Sequence, residues 1–503
     1  MALTLLKLAQ TLHAELHGDP DVVVTHVTAD SRQATKGSLF VAVRGSSGDG
    51  HAWLSQAIAS GCSAVVVEHE AAVNVDVPCL IVEQTRSAPA LVARLLFDNP
   101  DLALQTAGVT GTNGKTTTAS LLRSMLQELN TGCGLLGTIQ YETGLRTIAA
   151  PLTTPGGPEF YRALAEMRDS DLSAVAMEIS SHALDQQRTA GLELDVAVMT
   201  NLSRDHLDYH GDLKSYLAAK LRIVELLAGP DRTKKPGVLA LNADDPAFAD
   251  VAPHNIETWR WSTGWRREPL VQPDVFLHKQ DLRSDGTTLV LDIRGEMVEL
   301  ESSLVGRFNV ENLCAAMTAG VALGYDPALC AKALSRAGQV AGRMEGFVLP
   351  NGAVAVVDYA HTPDALQAVL ASCRELTRGK VIVVFGCGGD RDRGKRPQMG
   401  AVAAKYADVA WITSDNPRSE EPAAICAEIM DGYRASSSDD QACRLEVNRK
   451  TAIVGALSEA GSGDVVVIAG KGHEDYQIIG NQRLDFDDRA VVRDYCSGEG
   501  QRD

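Results

Sequence analysis

The sequence contains no apolar run long enough to cross a membrane, no C-x-x-C cysteine pair and no excess of positive charge. A bilayer span requires about 20 consecutive apolar residues, so a membrane span is not expected. The ten cysteines are scattered between Cys62 and Cys496, which favours reduced thiols and a cytoplasmic location. The formal net charge of −18 argues against a nucleic-acid partner, because no broad basic face is left to neutralise phosphates.

The N-terminal segment lacks the features of a secretory signal peptide. It reads MALTLLKLAQTLHAELHGD, with acidic and histidine residues inside the apolar pattern and without a small-residue cleavage site. We therefore predict a single amphipathic helix over residues 1–19. Internal repeats and low-complexity tracts are also absent, except for a polar loop at residues 436–440.

A chain of 503 residues with 45% hydrophobic residues is too long for one core, and about three domains are expected. Breaks near Asn99 and Gly342 divide it into residues 1–98, 99–340 and 341–503. Short apolar runs alternate with helical stretches, a pattern typical of parallel sheets covered on both faces. We predict an α/β fold with a central P-loop parallel sheet and a Rossmann-like C-terminal domain. The buried-strand candidates are residues 38–43, 64–67, 104–109, 174–177, 196–199, 238–241, 353–357, 381–385, 409–413 and 465–469.

The most informative segment spans residues 107–118 and reads AGVTGTNGKTTT. Gly111 and Gly114 allow backbone N–H groups to surround phosphate oxygens, and Lys115 supplies a positive charge to the terminal phosphates. A strand-like run precedes this turn, and apolar residues at helical spacing follow it. The segment is a shortened form of the P-loop pattern. The alternative, a Gly-rich turn without a ligand, leaves the lysine and the threonines after it unexplained.

Oxygen ligands for Mg²⁺ are available near this turn in the predicted sheet. The hydroxyl group of Thr116 or Thr117 is one of them. Glu178 follows the buried-strand candidate at residues 174–177, and carboxylate oxygens are preferred Mg²⁺ ligands. Ser180, two residues further on, is also compatible with a helix cap. The sequence therefore predicts a magnesium site beside the phosphate loop.

The segment after residues 196–199 contains two histidines, His206 and His210, four residues apart. We reject zinc because the H-E-x-x-H pattern of a zinc helix is missing. A single histidine that helps to hold a second Mg²⁺ is the preferred interpretation, although a surface or packed role for either histidine stays open. Further along, Lys220 stands on an otherwise apolar helix face. From periodicity alone we predict a lysine whose ammonium group reaches solvent.

Polar groups follow each of four strand candidates in the last third of the chain, where open α/β sheets place their ligands. These polar segments are residues 358–364, 386–396, 415–418 and 470–474. Each alone is compatible with a solvated turn. Together they suit a zwitterionic ligand, because guanidinium groups hold carboxylates and acidic side chains hold ammonium groups. Residues 306–312 add amide side chains that suit a purine ring, which is a weak signal because asparagine commonly caps helices.

Taken in order, these segments resemble the Mur ligases of bacterial cell-wall synthesis over essentially the whole chain. The family signature consists of a GTNGKTT loop, an E-x-S-S strand end, a T-N-x-x-x-D-H-L-D-x-H segment and an F-N-x-x-N helix, and this sequence has all four. It also has the Gly-Arg-Met-Glu junction at residues 342–345. The N-terminal Asp-Ser-Arg at residues 30–32 narrows the resemblance to the third and fourth ligases of the pathway. Residues 153–155 and 186–188 point to the third.

The resemblance implies an ATP-dependent, ADP-forming amide ligase of peptidoglycan synthesis. It adds meso-2,6-diaminopimelate to UDP-N-acetylmuramoyl-L-alanyl-D-glutamate through an acyl phosphate. Asp-Asn-Pro-Arg at residues 415–418 resembles the family motif that marks selection of diaminopimelate. The cofactors implied are ATP and Mg²⁺, and the enzyme is expected to act as a monomer in the cytoplasm.

The resemblance also implies the role of individual residues. The catalytic residues would be Lys115, Glu178, His206 and Lys220, with Lys220 carbamylated, against the interpretation from periodicity. The Mg²⁺ ligands would be Thr116, Glu178, His206 and Lys220. The ATP-binding residues would be Gly111, Thr112, Asn113, Gly114, Lys115, Thr116, Thr117, Asn312, Arg343, Asp358 and His361. The UDP-muramoyl-peptide would be bound by Ala29, Ser31, Ser46, Ser47, Gly48, Thr153, Thr154, Ser180, Gln186 and Arg188, with a less strict match at residues 46–48. Diaminopimelate would be bound by Arg391, Asp415, Asn416, Pro417, Arg418, Gly470 and Glu474.

Other functions stay open on the sequence alone. A P-loop kinase or a simple NTPase would hydrolyse ATP without an amine and would not need the charged segments of the last domain. A nucleotide-gated binding module would bind ATP without amine-dependent phosphate release. Within the family, Arg418 disfavours the lysine-adding variant. Folylpolyglutamate synthases share the ATP domain, but the N-terminal domain argues against them.

Overall fold

The structure is a computed structural model of the whole chain, and it describes residues 1–45, 48–68, 76–129, 132–230, 232–265, 272–283, 286–437 and 442–498. The predicted site residues Ser46 and Ser47 lie outside the described residues. The chain forms two compact units. The first comprises Met1–Leu277, Leu291–Val298 and Asn312–Leu334. The second comprises His278–Val290, Glu299–Glu311 and Ser335–Asp503.

The N-terminal part of the first unit contains a five-stranded sheet. Its strands and those of a small two-stranded sheet are β1 Leu3–Thr4, β2 Glu15–His17, β3 Val23–Val24, β4 His26–Thr28, β5 Ser38–Val41, β6 Ala64–Glu68 and β7 Cys79–Val82. The strand order is β2-β7-β6-β5-β4, and β4 to β7 run parallel. The helices here are α1 Leu5–Leu12, α2 Leu54–Ala59 and α3 Ala88–Leu96.

The amphipathic helix predicted for residues 1–19 is confirmed as α1, although it covers only Leu5–Leu12. Thr4 caps α1, because its hydroxyl group accepts a hydrogen bond from the backbone N–H of Lys7. His13 adopts a left-handed conformation with φ of 49° and ends the helix. The chain then forms β2, which pairs antiparallel with β7. The segment thus contains a helix with one buried side, followed by a short strand in which only Leu16 is half-buried.

The larger sheet of the first unit holds the phosphate loop. Its strands are β8 Gln105–Thr110, β9 Cys133–Leu136, β10 Gln140–Glu142, β11 Thr147–Ala149, β12 Ala174–Glu178, β13 Val196–Met199, β14 Val238–Asn242, β15 Glu257–Ser262 and β16 Val275–Arg283. They follow the order β11-β10-β9-β12-β8-β13-β14-β15-β16. The central strands are parallel, and the hairpin of β10 and β11 adds an antiparallel edge. The helices between them are α4 Lys115–Glu128, α5 Gly157–Asp169, α6 Ser181–Asp185, α7 Leu207–His210 and α8 Leu213–Leu221.

Strands after β14 were not anticipated from the sequence. Besides β15 and β16 they are β17 Gly286–Ile293 and β18 Glu296–Ser302. Buried residues alternate with half-buried ones along β17 and with exposed ones along β18. This alternation is typical of strands with one solvated face rather than of the continuous apolar runs on which the prediction relied. Helices α9 Arg307–Ala322 and α10 Pro327–Ser335 follow.

The sheet of the second unit contains β19 Glu345–Val348, β20 Val354–Asp358, β21 Val381–Phe385, β22 Val409–Ile412, β23 Cys443–Leu445 and β24 Val465–Ala469. The order is β19-β20-β24-β21-β22-β23, with all pairs parallel except β19 with β20. A hairpin of β25 Tyr476–Ile479 and β26 Gln482–Asp485 lies outside this sheet. The helices are α11 Pro363–Leu376, α12 Lys395–Tyr406, α13 Pro422–Ser436, α14 Arg449–Glu459 and α15 Asp488–Ser497.

Burial explains why the predicted strands formed. Every residue of β12, β21 and β24 is buried, as expected for parallel strands that are covered by helices on both faces. Their carboxyl ends meet at one edge of each sheet, where the polar segments begin. The predicted α/β class with parallel sheets is confirmed. No helix within the described residues is long and apolar enough to span a membrane.

Candidate functional site

The phosphate loop of the first unit connects the end of β8 to the start of α4. Gly111 has φ of 148° and Gly114 has φ of 84°, conformations that residues with a Cβ atom rarely adopt. A Cβ atom on Gly111 would overlap the hydroxyl oxygen of Thr200, and one on Gly114 would overlap Oδ1 of Asn312. The two glycines are therefore required both by the backbone conformation and by the lack of space.

The segment after β13 holds the loop in place. The backbone N–H of Thr112 donates to the carbonyl oxygen of Asn201 at 2.8 Å, and that of Asn113 donates to Oδ1 of Asn201 at 2.9 Å. The hydroxyl group of Thr200 donates to the carbonyl oxygen of Asn113 at 2.6 Å. Lys115 begins α4 and reaches back, with Nζ 3.0 Å from the carbonyl oxygen of Gly111. These hydrogen bonds thus fix the conformation of the loop, with Lys115 at its C-terminal end.

A group of oxygen atoms surrounds the carboxylate of Glu178, which ends β12 and has no exposed surface. The hydroxyl group of Thr116 donates to Oε2 of Glu178 at 3.0 Å. Thr138 donates to the same carboxylate through its backbone N–H at 2.6 Å and its hydroxyl group at 3.0 Å. A carboxylate and hydroxyl groups at the mouth of a phosphate loop form an oxygen-only donor set, which fits Mg²⁺. Thr116 and Glu178 are therefore brought together as the sequence predicted.

Lys220, on α8, is only 1% exposed. The prediction from periodicity, that its ammonium group reaches solvent, is therefore wrong. Its Nζ donates to the carbonyl oxygen of Gly111 at 2.7 Å and lies 4.2 Å from the ring centre of Tyr216. No carboxylate among the described residues lies within ion-pair distance of it. Burial, together with the charge of Lys115, lowers the pKa of Lys220 well below its ordinary value, against the opposing charge of Asp205.

His206 belongs to a cluster of rings beside this lysine. Its ring centre lies 4.8 Å from that of His182, and its Nε2 lies 3.5 Å from Oδ2 of Asp205. Burial lowers the pKa of His206, and the charges of Lys115 and Lys220 act in the same direction. The lowered pKa favours the neutral imidazole, the form that binds metals. His210 instead lies 3.1 Å from the hydroxyl group of Ser181.

Four residues predicted to bind the muramoyl-peptide meet at the end of β12. The hydroxyl group of Thr154 donates to the carbonyl oxygen of Glu178 and accepts from the backbone N–H of Ser180. The guanidinium group of Arg188 donates twice to Oε1 of Gln186 and once to the carbonyl oxygen of Thr154, at 2.7 to 3.0 Å. These hydrogen bonds fix the orientation of the polar side chains at the strand end that carries Glu178.

The remaining predicted residues of this group lie elsewhere in the first unit. Thr153 is hydrogen-bonded to Thr138 at 3.1 Å, so that it adjoins the Glu178 cluster. Ser31 is buried and donates to Oε1 of Gln56 at 2.9 Å. Ala29 is exposed at the end of β4, and Gly48 accepts a hydrogen bond from the backbone N–H of Gly45. The N-terminal residues thus form a separate part of the predicted surface.

Asn312, predicted at the purine, contacts the phosphate loop. Its Oδ1 accepts from the hydroxyl group of Thr118 at 3.2 Å and closes the space above Gly114. Thr112 is hydrogen-bonded to the backbone of Ser203, and Thr117 is buried in the first turn of α4. Asn312 is therefore at the phosphate end of the predicted nucleotide site within this unit.

In the second unit, Asp358 ends β20 and is buried. Its Oδ2 accepts from the backbone N–H of Met344 and its Oδ1 from that of Ala360, both at 2.8 Å. The guanidinium group of Arg343 lies 4.8 Å from the ring centre of Tyr359. Burial raises the pKa of Asp358, although Arg343 and these hydrogen bonds oppose the rise. His361 lies three residues further on, at the same strand end.

Most of the residues predicted to bind the amino acid follow the ends of β22 and β24. The amide Nδ2 of Asn416 donates to Oε2 of Glu474 at 2.9 Å. Between them lies Lys471, which has no exposed surface. Its Nζ donates to Oδ1 of Asn416 at 3.0 Å, and lies 3.2 Å from Oδ1 of Asp415 and 3.7 Å from Oε2 of Glu474. One ammonium group thus contacts three of the predicted residues.

Arginine side chains lie near these residues on two loops, with Arg391 after β21 and Arg418 after β22. The guanidinium group of Arg418 donates to the carbonyl oxygen of Gly389 at 2.8 Å, and its backbone has φ of 54°. Gly389 packs so closely on the carbonyl oxygen of Pro417 that a Cβ atom would overlap it. Arg391 lies on the same loop and is exposed. Gly470 has φ of 117°, and a Cβ atom on it would lie 3.8 Å from Oδ2 of Asp415.

The two carboxylates of the pocket differ in their acidity. Burial alone would raise the pKa of Asp415, but the charges of Lys471 and Arg449 hold it below its ordinary value. Burial raises the pKa of Glu474, and the negative charge of Asp415 adds to that rise although Lys471 and Arg418 oppose it. The pKa of Asp415 is therefore lowered, whereas that of Glu474 is raised.

Two residues at these sites were not singled out from the sequence. Thr138 follows β9, a short apolar strand that was not among the candidates, and the strand-end rule would have found it once β9 was recognised. Lys471 stands between two glycines directly after β24. That position was a signal, because a side chain there points to the ligand-binding edge of the sheet.

Family models match most of the chain. A Mur ligase family catalytic-domain model matches residues 23–106, the Mur ligase middle-domain model matches residues 109–320, and the model of the Mur ligase glutamate ligase domain matches residues 342–472. The phosphate loop and the Glu178 cluster fall within the second of these matches. The Asp415 to Glu474 pocket falls in and just beyond the third.

Curated relatives extend the match to nearly full length. The chain is 40% identical to a protein of Geobacter metallireducens over 95% of both chains, and 42% identical to one of Gloeobacter violaceus over 96% of both. Both are named UDP-N-acetylmuramoyl-L-alanyl-D-glutamate–2,6-diaminopimelate ligase. A solved structure of a ligase with the same name superposes with a TM-score of 0.71 at 31% identity, over 99% of both chains.

A more distant solved structure supports the fold alone. MurF from Acinetobacter baumannii is 18% identical and has a TM-score of 0.63 over 99% of both chains. The family models, the near-complete alignment with curated relatives and the geometry of the phosphate loop agree. The chain belongs to the Mur ligase family.

Proposed function

We propose that this chain is an ATP-dependent ligase that joins meso-2,6-diaminopimelate to UDP-N-acetylmuramoyl-L-alanyl-D-glutamate. The names of the relatives, at about 40% identity over 95% of both chains, support this substrate pair. The observation that supports the proposal is the cluster of Asp415, Asn416, Arg418 and Glu474, which brings carboxylates and a guanidinium group together at one edge of the sheet. A simple nucleotide hydrolase has no use for it.

The chemistry explains why the reaction requires ATP. An amine does not displace oxygen from a free carboxylate at useful rates, so that the oxygen must first become a leaving group. The substrate carboxylate attacks the γ-phosphorus of ATP, the bond to the β-phosphate oxygen breaks, and ADP leaves. The amino group of diaminopimelate then attacks the acyl phosphate. The tetrahedral intermediate expels inorganic phosphate, and the attacking nitrogen loses a proton.

Phosphoryl transfer depends mainly on positioning and on neutralising charge. In the proposed reaction, N–H groups of the loop other than those of Thr112 and Asn113, which donate to Asn201, hold the β- and γ-phosphates. Lys115 exchanges its contact with the Gly111 carbonyl oxygen for one with these phosphates. Thr116 and Glu178 would hold Mg²⁺, which when bound supplies further neutralisation of the phosphates. Thr138 keeps the Glu178 carboxylate aimed at this position.

Lys220 and His206 are proposed to act at the acceptor carboxylate. A lysine that is buried without a carboxylate partner is a good nucleophile for carbon dioxide, because its neutral form is favoured. Attack by Nζ and loss of one proton would convert it into a carbamate anion. That anion and the imidazole of His206 would hold a second Mg²⁺ near the loop. The proposal rests on the family resemblance and on the contact of Lys220 with the Gly111 carbonyl oxygen.

Substrate recognition is proposed to follow charge. Arg418 binds the distal carboxylate of diaminopimelate, and Glu474 binds its distal ammonium group. Arg188, held by Gln186 and Thr154, binds the anionic muramoyl-peptide next to Glu178. The ten cysteines of the structure are all free thiols, which is compatible with the proposed action in the reducing cytoplasm.

Phosphate release tests the proposal directly. The purified chain, ATP, Mg²⁺ and the UDP-muramoyl-dipeptide are incubated with meso-diaminopimelate, with L-lysine or with no amine. We expect phosphate release that depends on diaminopimelate and is at least tenfold slower with lysine, since lysine lacks the carboxylate that Arg418 binds. Equal release in all three mixtures would indicate a simple hydrolase instead.

The phosphate loop has its own test. Lys115→Ala should lower the turnover number about 10²- to 10³-fold, as expected when one group that stabilises transition-state charge is removed. The folded structure should persist, because the hydrogen bonds of this lysine to the carbonyl oxygens of Gly111 and Thr112 lie within its own loop. Near-normal turnover of this variant would show that the loop is not the nucleotide site.

A further inference from the structure

Lys471 is a charged residue enclosed in the amino-acid pocket, and neither the family models nor the names of relatives assign it a role. Its side chain has no exposed surface. It donates to Oδ1 of Asn416 at 3.0 Å and to the carbonyl oxygen of Tyr476 at 2.8 Å, and it pairs with Asp415 at 3.2 Å. These two hydrogen bonds and the ion pair are all made with groups of the protein.

These contacts decide which way the amide of Asn416 points. Both Lys471 Nζ and the backbone N–H of Ile478 donate to the same atom of Asn416, each at 3.0 Å. An ammonium group can only donate, so that this atom must be the oxygen. The amide nitrogen is then directed at Oε2 of Glu474, at 2.9 Å. Lys471 thus fixes the Glu474 carboxylate through one intervening side chain.

Charge acts in the same direction as geometry. Glu474 and Asp415 are two carboxylates in one largely buried pocket, and each disfavours the charged form of the other. Lys471 lies within 3.7 Å of both. The charged and titratable groups that act on or respond to Glu474 are Lys471, Asp415, Arg418, Arg449, Tyr359 and Tyr476. Lys471 is the cation that contacts both carboxylates.

We infer that Lys471 is a positioning residue for amino-acid selection: it holds the carboxylate of Glu474, through the amide of Asn416, in the place where it reads the distal ammonium group of the amino-acid substrate. The inference rests on the proposed function. Lys471 does not touch the substrate. Its effect should therefore be confined to the part of the substrate that Glu474 contacts.

A pair of substrates isolates that part. Diaminopimelate carries a distal ammonium and a distal carboxylate, whereas L-2-aminopimelate keeps the reacting amino group and the distal carboxylate but lacks the distal ammonium. The wild-type chain should prefer diaminopimelate, because a Glu474 carboxylate left without its partner is costly. A change that merely loosens the fold would weaken the binding of both substrates alike, whereas loss of positioning would weaken only the binding of diaminopimelate.

The experiment measures KM and kcat for both amines in the phosphate-release assay, with the full chain, ATP, Mg²⁺ and the UDP-muramoyl-dipeptide. Lys471→Met should raise KM for diaminopimelate about 10- to 100-fold, the range for loss of a charge-assisted hydrogen bond. KM for L-2-aminopimelate and for ATP should change less than threefold. The matched control is Lys405→Met, which removes an exposed lysine of α12 in the same unit and should leave every constant unchanged.

A second variant separates positioning from folding. Lys471→Gln loses the charge but keeps a donor for Asn416, and it should retain part of the preference for diaminopimelate. Equal increases in KM for both amines, a lower KM for diaminopimelate in Lys471→Met, or failure of both variants to fold would each overturn the inference. Failure of the proposed function is distinguishable, because the wild-type chain itself would then release no phosphate in response to diaminopimelate.

Discussion

Two lysines of this chain are almost completely buried, and their surroundings differ. Lys220, in the first unit, is 1% exposed, contacts a carbonyl oxygen and an aromatic ring, and has no carboxylate within ion-pair distance among the described residues. Lys471, in the second unit, is 0% exposed and lies beside the carboxylates of Asp415 and Glu474. The two lysines are therefore equally buried but have different neighbours.

The comparison shows that the neighbouring charges, rather than burial itself, determine the chemical behaviour of a buried lysine. Without a counter-charge the desolvation cost favours the neutral amine, which is a nucleophile. The lowered pKa of Lys220 is the result. With two carboxylates the ammonium becomes part of an ion-pair network, and its removal leaves buried negative charge behind. The lysine proposed to react and the lysine inferred to position Glu474 thus differ in their neighbours.

The largest expected effect is on stability, from Lys471→Met. Removal of one member of a buried ion pair costs about 3 to 5 kcal/mol, because its partner stays buried without compensation. Asp415 is that partner here. Chemical denaturation of the full chain, with Lys405→Met as the control, measures the change in the unfolding transition of the second unit. A loss of unfolding free energy below about 1 kcal/mol would show that the ion pair of Lys471 does not stabilise the fold, and that the two lysines do not differ in this respect.

The next effect is on catalysis, from Lys220→Met. We expect turnover to fall about 10²- to 10³-fold, equivalent to about 2.7 to 4 kcal/mol. The melting temperature should be unchanged or higher, since the variant replaces a buried amine that has no carboxylate partner with an apolar side chain. Lys214→Met, an exposed lysine on the same helix, is the control. A strongly lowered melting temperature would contradict the comparison.

The phosphate loop could be predicted from the sequence because its chemistry is contiguous. The glycines, the lysine and the threonines stand within eight residues, and each has a local physical reason. Glu178 was also accessible, because it ends a fully buried strand and carboxyl ends of parallel strands meet at one edge. The α/β class followed from the same apolar runs.

The state of the buried lysines could not be predicted in this way. Periodicity placed Lys220 on a helix face and suggested contact with solvent, but the contact that buries it comes from Gly111, which lies 109 residues away. Lys471 and Asn416 are 55 residues apart. Such distances in the chain are closed by tertiary packing, which a local pattern does not contain. The strands β15 to β18 were missed for a different reason, because their partly exposed pattern lacks a long apolar run.

The smallest expected effect is on the pH dependence of KM for diaminopimelate. The pKa of Glu474 is raised above its ordinary value of 4.5, so that its carboxylate loses charge as the pH falls through that raised pKa, while the ammonium groups of diaminopimelate stay charged. KM for diaminopimelate should therefore rise on the acid side, by up to about tenfold for each pH unit, beginning above pH 4.5. KM for ATP, measured over the same range, is the control.

Variants connect this profile to the comparison of the two lysines. Glu474→Gln should remove the acid-side rise, because no carboxylate is left to titrate. Lys471→Met should move the rise to higher pH, since loss of a neighbouring positive charge raises the pKa of a carboxyl group further. An unchanged profile in both variants would mean that another group causes the pH dependence. A shift in the second variant alone would assign the titration to Asp415, the other carboxylate that Lys471 contacts.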